Sequence, residues 1–585
     1  MDWVNETILR WRETPAADLK SEDFEQFKNL GCSCLAQDES EKLLEFLHDE
    51  NNQVIVRTMG SVLLSPLLNM AVKDKHHHPC QAAITHLTMT CSPDDVVNRC
   101  IQVVEDVDPG LISDTIITVA PHLQAGLLRL EGNQASFVGA ALSALHKQLT
   151  RLPVPYCKQQ EDDDEYGLCR CCSTLAAFIQ PFAEKIHDYV EHQEREELKS
   201  ELLKFCMRSL REPLLEAELA RDRNSSLRLF ATQLMITIQA TGESTSDIVF
   251  SRNRSNLMPV SQSQESRASL SYLLFVQLIT YDSFPSIYSP MFVLQSNMEN
   301  ISLLLSSKKE SHLTKGLALF EKGLEKIEDN SLPVSLLELQ SFYRVIQNLR
   351  FILTDCPIQH LRQSGLQILQ MFINKLDCGA KQKIFRCLLI NSNHSGLEGF
   401  IVKNIKKQME LSMNGDDTND WPEGRNFLPL LQLVFALPDG AQTNLLYNLD
   451  RYTSKSLIME CLNLLRFLLI RNKITKEEEV WREFCQIKDS FLQTLRVSIS
   501  MSRSYYSYEL KTLTEDMKLK AREMRACAGS TKSLKRMILK HKQESNLTPA
   551  EQHQVLQSAL VTLDLMESLI FRIDEITEGN LTMAN

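Results

Sequence analysis

The chain has 585 residues, of which 43% are apolar and 24% charged, so it has material for large cores and not the composition of a disordered protein. Glycine and proline, at 19 residues each, are scarce enough to argue against a turn-rich β architecture. The net charge of −12 argues against a protein whose main task is to bind nucleic acid, but it leaves room for a local basic patch.

The N-terminus and the 16 cysteines indicate the cellular compartment in which the protein is expected. Residues 1–6 lack the basic and apolar regions of a signal peptide, and no run of 18 apolar residues predicts a membrane span. Several cysteines, such as Cys206 after Phe205, lie inside apolar helical runs, where free cysteine behaves as a small buried hydrophobe. We therefore expect a cytoplasmic protein without disulfides and without membrane contact.

Helical periodicity is the strongest signal along the chain. Apolar residues recur at spacings of three and four in residues 202–240, 270–280, 313–327, 361–375, 383–411, 428–437, 457–471, 485–500 and 556–573. The clearest stripe consists of Leu313, Leu317, Phe320, Leu324 and Ile327. We expect each of these segments to form a helix with one apolar face.

The last of these helices has a readable start. Thr548 is a good N-cap residue, Pro549 suits the first helical position, and Glu551 stands where a capping box needs its carboxylate. The sequence therefore predicts that the final helix begins directly after Thr548.

No comparable period-2 alternation occurs, so no sheet is predicted. Helices with one apolar stripe bury it by stacking in antiparallel pairs. We therefore predict an all-α fold, a HEAT- or armadillo-like helical repeat solenoid with irregular repeats. The alternative is an irregular helical array with no strict period.

Four stretches interrupt the helical pattern, namely residues 152–167, 242–268, 412–426 and 528–547. The second is rich in Ser, Asn and Gln and has few apolar anchors, so it is the best linker candidate. We predict an N-terminal helical repeat region at 1–241, a flexible linker or loop at 242–268, and a C-terminal HEAT-like region at 269–585.

Three clusters resemble metal sites but lack the required spacing. Cys169–Arg170–Cys171–Cys172 has no second cysteine pair nearby, so it is better explained as buried cysteines at a helix start. His76–His78 point in different directions on any regular backbone and are predicted to form a polar loop. Asp162–Asp164 lack two ligands of a calcium loop and are predicted to be solvated.

Four catalytic and nucleotide-binding motifs are absent from the sequence: the P-loop, the dinucleotide fingerprint, the nucleophile elbow and the zinc-protease helix. We therefore predict that the protein is not an enzyme and that it takes no cofactor and no metal.

Two basic stretches are candidates for binding. Ten cations lie between residues 511 and 542, at positions 511, 518, 520, 522, 525, 532, 535, 536, 540 and 542. Such a segment suits RNA, an anionic membrane or an acidic protein, and equally a solvated helix face. The second stretch is Lys403, Lys406 and Lys407, which share a helix face opposite Ile401, Val402, Ile405 and Met409. Spacing alone leaves open whether these lysines meet a partner or only water.

The chain also resembles the glomulin family, which is a HEAT-like cytosolic family. The resemblance rests on Tyr166–Gly167–Leu168–Cys169–Arg170–Cys171–Cys172, on Ser392–Asn393–His394–Ser395–Gly396, and on residues 152–156, 201–206, 327–332, 373–377, 385–389 and 462–466. These segments occur in order over most of the chain.

The resemblance implies a regulator that binds the RING-box subunit of cullin–RING ubiquitin ligases, together with its cullin. Such a protein blocks recruitment of the ubiquitin-conjugating enzyme and so inhibits ubiquitin transfer. An immunophilin partner and a role in vascular smooth-muscle development are also implied. By this likeness the C-terminal half makes the RING contact, and its candidate contact residues are Lys403, Asn404, Lys406 and Lys407. A general helical adaptor that uses residues 511–542 is the alternative.

Overall fold

The computed structural model describes residues 2–15, 18–37, 39–74, 78–188, 191–219, 224–250, 260–279, 288–392, 394–413, 427–436, 454–471, 478–526 and 548–584. Over these residues the chain consists of α-helices with short 3-10 turns, and it contains no β-strand. An isolated β-bridge joins Leu332 and Leu376. The predicted all-α class is confirmed.

The chain divides into two compact units. The first comprises the residues up to Ile327 together with Arg344–Ile352 and Gln363–Ile368. Its helices are α1 (Asp2–Glu13), α2 (Ser21–Ala36), α3 (Ser40–His48), α4 (Gln53–Met59), α5 (Leu64–Lys73), α6 (His78–Thr90), α7 (Pro93–Glu105), α8 (Ile112–Leu128), α9 (Gln134–Leu149), α10 (Lys158–Asp163), α11 (Leu168–Glu184), α12 (His192–Arg211), α13 (Ser226–Ala240), α14 (Thr245–Phe250), α15 (Val260–Phe275), α16 (Pro290–Leu305) and α17 (Glu310–Glu325).

The helices of the first unit stack in two layers. In one layer α3, α6, α8, α11 and α13 each contact the next; in the other, α5, α7, α9, α12, α15 and α17 do so. Pairs such as α7 and α8 pack across the layers. Their apolar stripes meet between the layers, as the prediction of stacked helical repeats requires.

The second unit comprises Glu328–Tyr343, Leu353–Arg362 and Leu369–Asn585. Its helices are α20 (Cys378–Asn391), α21 (Ser395–Met413), α22 (Leu428–Phe435), α23 (Ser454–Arg471), α24 (Glu478–Ala526) and α25 (Pro549–Ala584), while α18 (Gln340–Asp355) and α19 (Gln359–Lys375) are divided between the units. Within it α21 packs on α20 and α23, and α25 packs on α23 and α24.

Two local predictions are confirmed in detail. All five residues of the Leu313–Ile327 stripe are buried. At the start of α25, the Glu551 carboxylate accepts a hydrogen bond from the Thr548 backbone N–H at 2.7 Å, and the Glu551 N–H donates to the Thr548 hydroxyl at 3.4 Å. The predicted capping box is therefore present, and the hydrogen bonds that the Thr548 N–H and hydroxyl donate to the Glu551 carboxylate lower its pKa.

The predicted loop over residues 152–167 is interrupted by α10, so that prediction is wrong for residues 158–163. Asp162 and Asp163 are exposed, as expected, but Asp164 has a structural role. Its carboxylate accepts hydrogen bonds from the backbone N–H groups of Cys169 and Arg170 at 2.9 and 3.0 Å. It thereby satisfies two of the unpaired amides at the start of α11.

The cysteine run lies at this helix start, and Cys169, Cys171 and Cys172 are buried, as predicted. Burial raises the pKa of Cys169 and of Cys171 to about 12. No group of three or more His, Cys, Asp or Glu suited to a metal occurs in the part of the chain that the structure describes. His78 begins α6, whereas His76 and His77 lie outside the described residues.

The predicted linker at 242–268 is partly helical in the structure. Thr245–Phe250 forms α14, residues from Val260 onward form α15, and residues 251–259 lie outside the described set. The boundary between the two compact units falls near Ile327 and not near residue 250. The predicted division into regions 1–241 and 269–585, with a linker at 242–268, stays a prediction. Of the two other interruptions, residues 414–426 and 528–547 lie outside the described residues.

Three helical stretches are long and apolar enough to cross a membrane by length and composition, namely Glu50–Lys73, Pro109–Leu128 and Ala550–Glu578. The absence of such segments expected from the sequence is therefore wrong by this criterion. The buried share of their apolar windows is 61%, 44% and 22%, so the first two contribute much of their apolar surface to the core.

Candidate partner-binding surface

Helix α21 carries all four candidate contact residues, and its own start is well defined. The Leu397 N–H donates to Nδ1 of His394 at 3.3 Å, and the His394 N–H donates to the Ser392 hydroxyl at 3.1 Å. The imidazole thus caps one of the unpaired amides of the first turn. The segment that carries part of the family resemblance therefore sets where this helix begins.

The predicted apolar face of α21 is confirmed. Ile401, Val402, Ile405 and Met409 are all buried. The helix packs against both α20 and α23. Among its described side chains only Lys403 and Lys407 are exposed. Only a narrow strip of α21 is therefore left for solvent or a partner.

Asn404 lies on the buried side and is only 3% exposed. Its Nδ2 donates to the Phe400 carbonyl at 2.9 Å, and its Oδ1 accepts from Nε2 of Gln370 at 2.8 Å. Both ends of the amide are thus already hydrogen-bonded inside the unit. In this structure Asn404 can position α21 against α19, but it does not reach the surface as a direct contact would require.

A second buried polar contact lies one turn further along α21. Oε1 of Gln408 accepts a hydrogen bond from Nζ of Lys381 at 3.0 Å, and Lys381 also donates to Asn330. Both Gln408 and Lys381 are buried, and burial lowers the pKa of Lys381. Together with Asn404 this contact fixes the rotation of α21, because turning the helix would leave buried polar groups unpaired.

The three lysines lie toward the exposed strip. Lys403 and Lys407 are exposed, whereas Lys406 is half-buried. Nζ of Lys406 lies 3.6 Å from Oε1 of Glu410 and 5.8 Å from the ring centroid of Phe467 on α23. The structure thus brings the lysines together as predicted and adds Phe467, which the sequence analysis missed because no sequence pattern relates α21 to α23.

The other basic stretch is described only in part. Positions 511, 518, 520, 522 and 525 lie on the C-terminal part of α24, with Lys511 and Lys518 exposed. The remaining five cations of the stretch, between residues 532 and 542, lie outside the described residues.

Comparison with known proteins identifies the family. The family described as "Uncharacterised protein family, YAP/Alf4/glomulin" matches residues 10–559. This chain belongs to that family. The human protein named Glomulin is 38% identical over 590 residues, which cover 98% of this chain and 96% of the human one. The mouse protein named Glomulin is 36% identical over 578 residues, which cover 96% of this chain and 94% of the mouse one.

A solved structure was also matched, a circular tandem repeat protein with a novel repeat topology. It covers 96% of this chain and 98% of its own length, at 12% identity and a TM-score of 0.20. At that TM-score the likeness adds nothing to the fold described above.

Proposed function

We propose that this protein binds the RING-box subunit of cullin–RING ubiquitin ligases and blocks recruitment of the ubiquitin-conjugating enzyme. The observation that carries the proposal is the match to two glomulins along nearly the whole chain. The family resemblance implies this activity. The layered helical architecture and the exposed lysines of α21 are compatible with it.

In this proposal the protein acts by occupying a surface and not by chemistry. A RING domain meets its conjugating enzyme through a small surface, so a rigid helical unit bound there excludes the enzyme sterically. Inhibition then follows from mass action between two ligands that compete for one site. A stable competitor buries on the order of 1,200–2,000 Å².

Within the second unit we assign the contact to the exposed side of α21. Lys403 and Lys407 are free to face an acidic partner surface, and Lys406 lies at its edge beside Phe467. Asn404 contributes indirectly, because its hydrogen bond to Gln370 holds the helix in place.

The test is a discharge assay. A purified cullin–RING-box complex is mixed with conjugating enzyme charged with ubiquitin, and the rate of discharge is followed as the protein is added. We expect the rate to fall with added protein and to recover when more conjugating enzyme is supplied, because the two compete. Undiminished discharge at saturating protein would refute the proposal. A RING ligase without a RING-box subunit is the control.

The resemblance supports two further proposals, an immunophilin as a second partner and a cytoplasmic location. Co-purification with an immunophilin from cells and fractionation of those cells test the two separately. Absence of the protein from the cytoplasmic fraction would refute the second.

A further inference from the structure

The seam between α21 and α23 forms part of the surface of the second unit. Nζ of Lys406 lies 5.8 Å from the ring centroid of Phe467, and both side chains are half-buried. A half-buried pair of this kind marks the line where two packed helices meet solvent. The residues next to it on the exposed side of each helix therefore share one surface.

On α21 the exposed neighbours of this seam are Lys403 and Lys407, four residues apart on one face. On α23 they are Arg466 and Ile470, which are also four residues apart and exposed. Ile470 is 54% exposed. We call Lys403, Lys407, Arg466, Phe467 and Ile470 together the α21–α23 surface.

The surface carries three exposed cations on two packed helices. Among the residues that the structure describes, Lys403, Lys407 and Arg466 form no ion pair. Elsewhere some exposed cations are paired, as Lys322 is with Glu325 and Arg572 with Glu575, both at 2.8 Å. In a chain with a net charge of −12, this is a local concentration of uncompensated positive charge.

Apolar surface lies among these charges. On α23 the 54% exposed Ile470 and part of Phe467 lie beside Arg466. Aromatic side chains and arginine are enriched in protein-binding surfaces, where a polar rim surrounds an apolar centre. RNA or an anionic membrane surface would use the cations but would have less need of a single aliphatic side chain at this place.

We propose that the α21–α23 surface binds an acidic protein surface that presents an apolar side chain between its carboxylates. The inference rests on the proposed function, which makes that partner the RING-box subunit. Lys403, Lys407 and Arg466 face the carboxylates and accelerate association, and Ile470 with Phe467 is buried on binding and slows dissociation. Recognition thus needs α23, which the sequence resemblance did not single out as a contact.

Two substitutions test the two halves of the proposal in the full-length protein. Arg466→Glu reverses one charge, and Ile470→Ser removes the apolar anchor. The matched controls are Arg57→Glu and Val54→Ser on α4 in the first unit, where Arg57 is exposed and Val54 is 61% exposed. Thermal unfolding of each variant verifies that it remains folded.

The measurement is the dissociation constant for the purified cullin–RING-box complex at low and high salt. We expect Ile470→Ser to weaken binding about tenfold or more at both salt concentrations, because burial of an apolar side chain is not screened. Arg466→Glu is expected to weaken binding about tenfold at low salt and less at high salt. The two controls are expected to bind within about twofold of the unaltered protein.

The outcomes separate this inference from the function on which it rests. If the unaltered protein fails to bind the complex, the proposed function and this inference fall together. If it binds and both variants bind equally well, only the α21–α23 surface is refuted. If Arg466→Glu weakens binding and Ile470→Ser does not, the partner is selected by charge alone and the proposed apolar anchor is wrong.

Discussion

Lys315 donates a hydrogen bond from Nζ to the carbonyl oxygen of Ala217, 2.6 Å away, across 98 residues of chain. The same nitrogen donates to the carbonyls of Leu215 at 2.5 Å and Leu214 at 3.0 Å, and it lies 5.5 Å from the ring centroid of Tyr272. The side chain is only 3% exposed. Lys315 on α17 therefore ties the turn after α12 to helices beyond residues 242–268, which helps to explain why the first compact unit extends to Ile327.

Replacing this lysine is expected to destabilise the first unit. Lys315→Met keeps the apolar stem but leaves three buried carbonyl oxygens without their donor. The substitution also removes the free-energy cost of a buried ammonium group, which offsets part of that loss. We therefore expect the free energy of unfolding to fall by about 2–4 kcal/mol. Denaturant titration measures it. Lys326→Met, a substitution at an exposed lysine one residue beyond α17, is the control. An unchanged unfolding midpoint for Lys315→Met would contradict the structural role.

The burial of Lys315 also predicts that the stability of the protein depends on pH. Burial lowers the pKa of Lys315 to about 7, whereas an unfolded lysine titrates near its ordinary value of 10.5. Between these values the unfolded state binds the additional proton, so the contribution of Lys315 to stability rises with pH, by up to about 1.4 kcal/mol per pH unit.

The measurement is the free energy of unfolding of the unaltered protein minus that of Lys315→Met, at a series of pH values from 7 to 10. Subtraction removes the groups that titrate in both proteins, apart from His312, whose pKa is lowered by burial and also by the charge of Lys315. We expect the difference to grow with pH. A flat or falling difference would show that the ammonium is not destabilised by burial.

Helix α11 contains a proline, and a side chain of α8 donates the hydrogen bond that the proline cannot. Pro181 has no N–H for the carbonyl of Ala177, and Nε2 of Gln124 on α8 donates to that oxygen at 3.0 Å and to Phe178 O at 2.9 Å. We expect Gln124→Leu to cost about 1–2 kcal/mol of stability.

A second substitution, at the proline itself, tests this explanation because it returns the backbone donor. Pro181→Ala restores an N–H at this position, so Gln124→Leu should cost less in that background than in the unaltered protein. A double-mutant cycle by thermal unfolding provides the comparison. Equal costs in the two backgrounds would show that Gln124 does not replace the proline's absent hydrogen bond.

Asn404 is expected to act through stability and not through direct contact. Asn404→Ala leaves the amide of Gln370 without one acceptor, at a cost of about 1–3 kcal/mol. Because replacing both polar partners by apolar ones is less costly, Asn404→Leu combined with Gln370→Leu should recover part of that loss. Unfolding and RING-box binding are measured for each. Recovery of stability without recovery of binding would make Asn404 a contact residue after all.

Charge-reversal substitutions on α21 distinguish the role of Lys403 from that of Lys406. Lys403→Glu changes an exposed side chain without an ion pair among the described residues, so it should weaken RING-box binding about tenfold at low salt with little effect on stability. Lys406→Glu should also weaken the complex, but it lies beside Glu410 and Phe467 and should therefore destabilise α21 as well. Binding constants and unfolding midpoints of both variants distinguish the effects. Unaltered binding by both would remove α21 from the interface.

Features that depend on neighbouring residues in sequence were predictable. The Leu313–Ile327 stripe, the capping box at Thr548 and the apolar face of α21 each follow from spacings of three or four, which helix geometry converts directly into a shared face. The basic cluster of α21 was found in the same way. Asn404 shows the limit of this approach, since its sequence neighbours do not reveal that Gln370 on another helix already holds its amide.

The sequence by itself determined that this protein is helical, where several of its helices begin, and that it belongs among glomulin-like chains. Those properties reside in local hydrogen bonding and in periodic burial. The tertiary structure alone decided which polar groups are buried together, as with Lys315 and the turn after α12, and that Lys406 meets Phe467. Such contacts depend on how distant helices pack, and the free energy of that packing is shared among many side chains that no local pattern identifies.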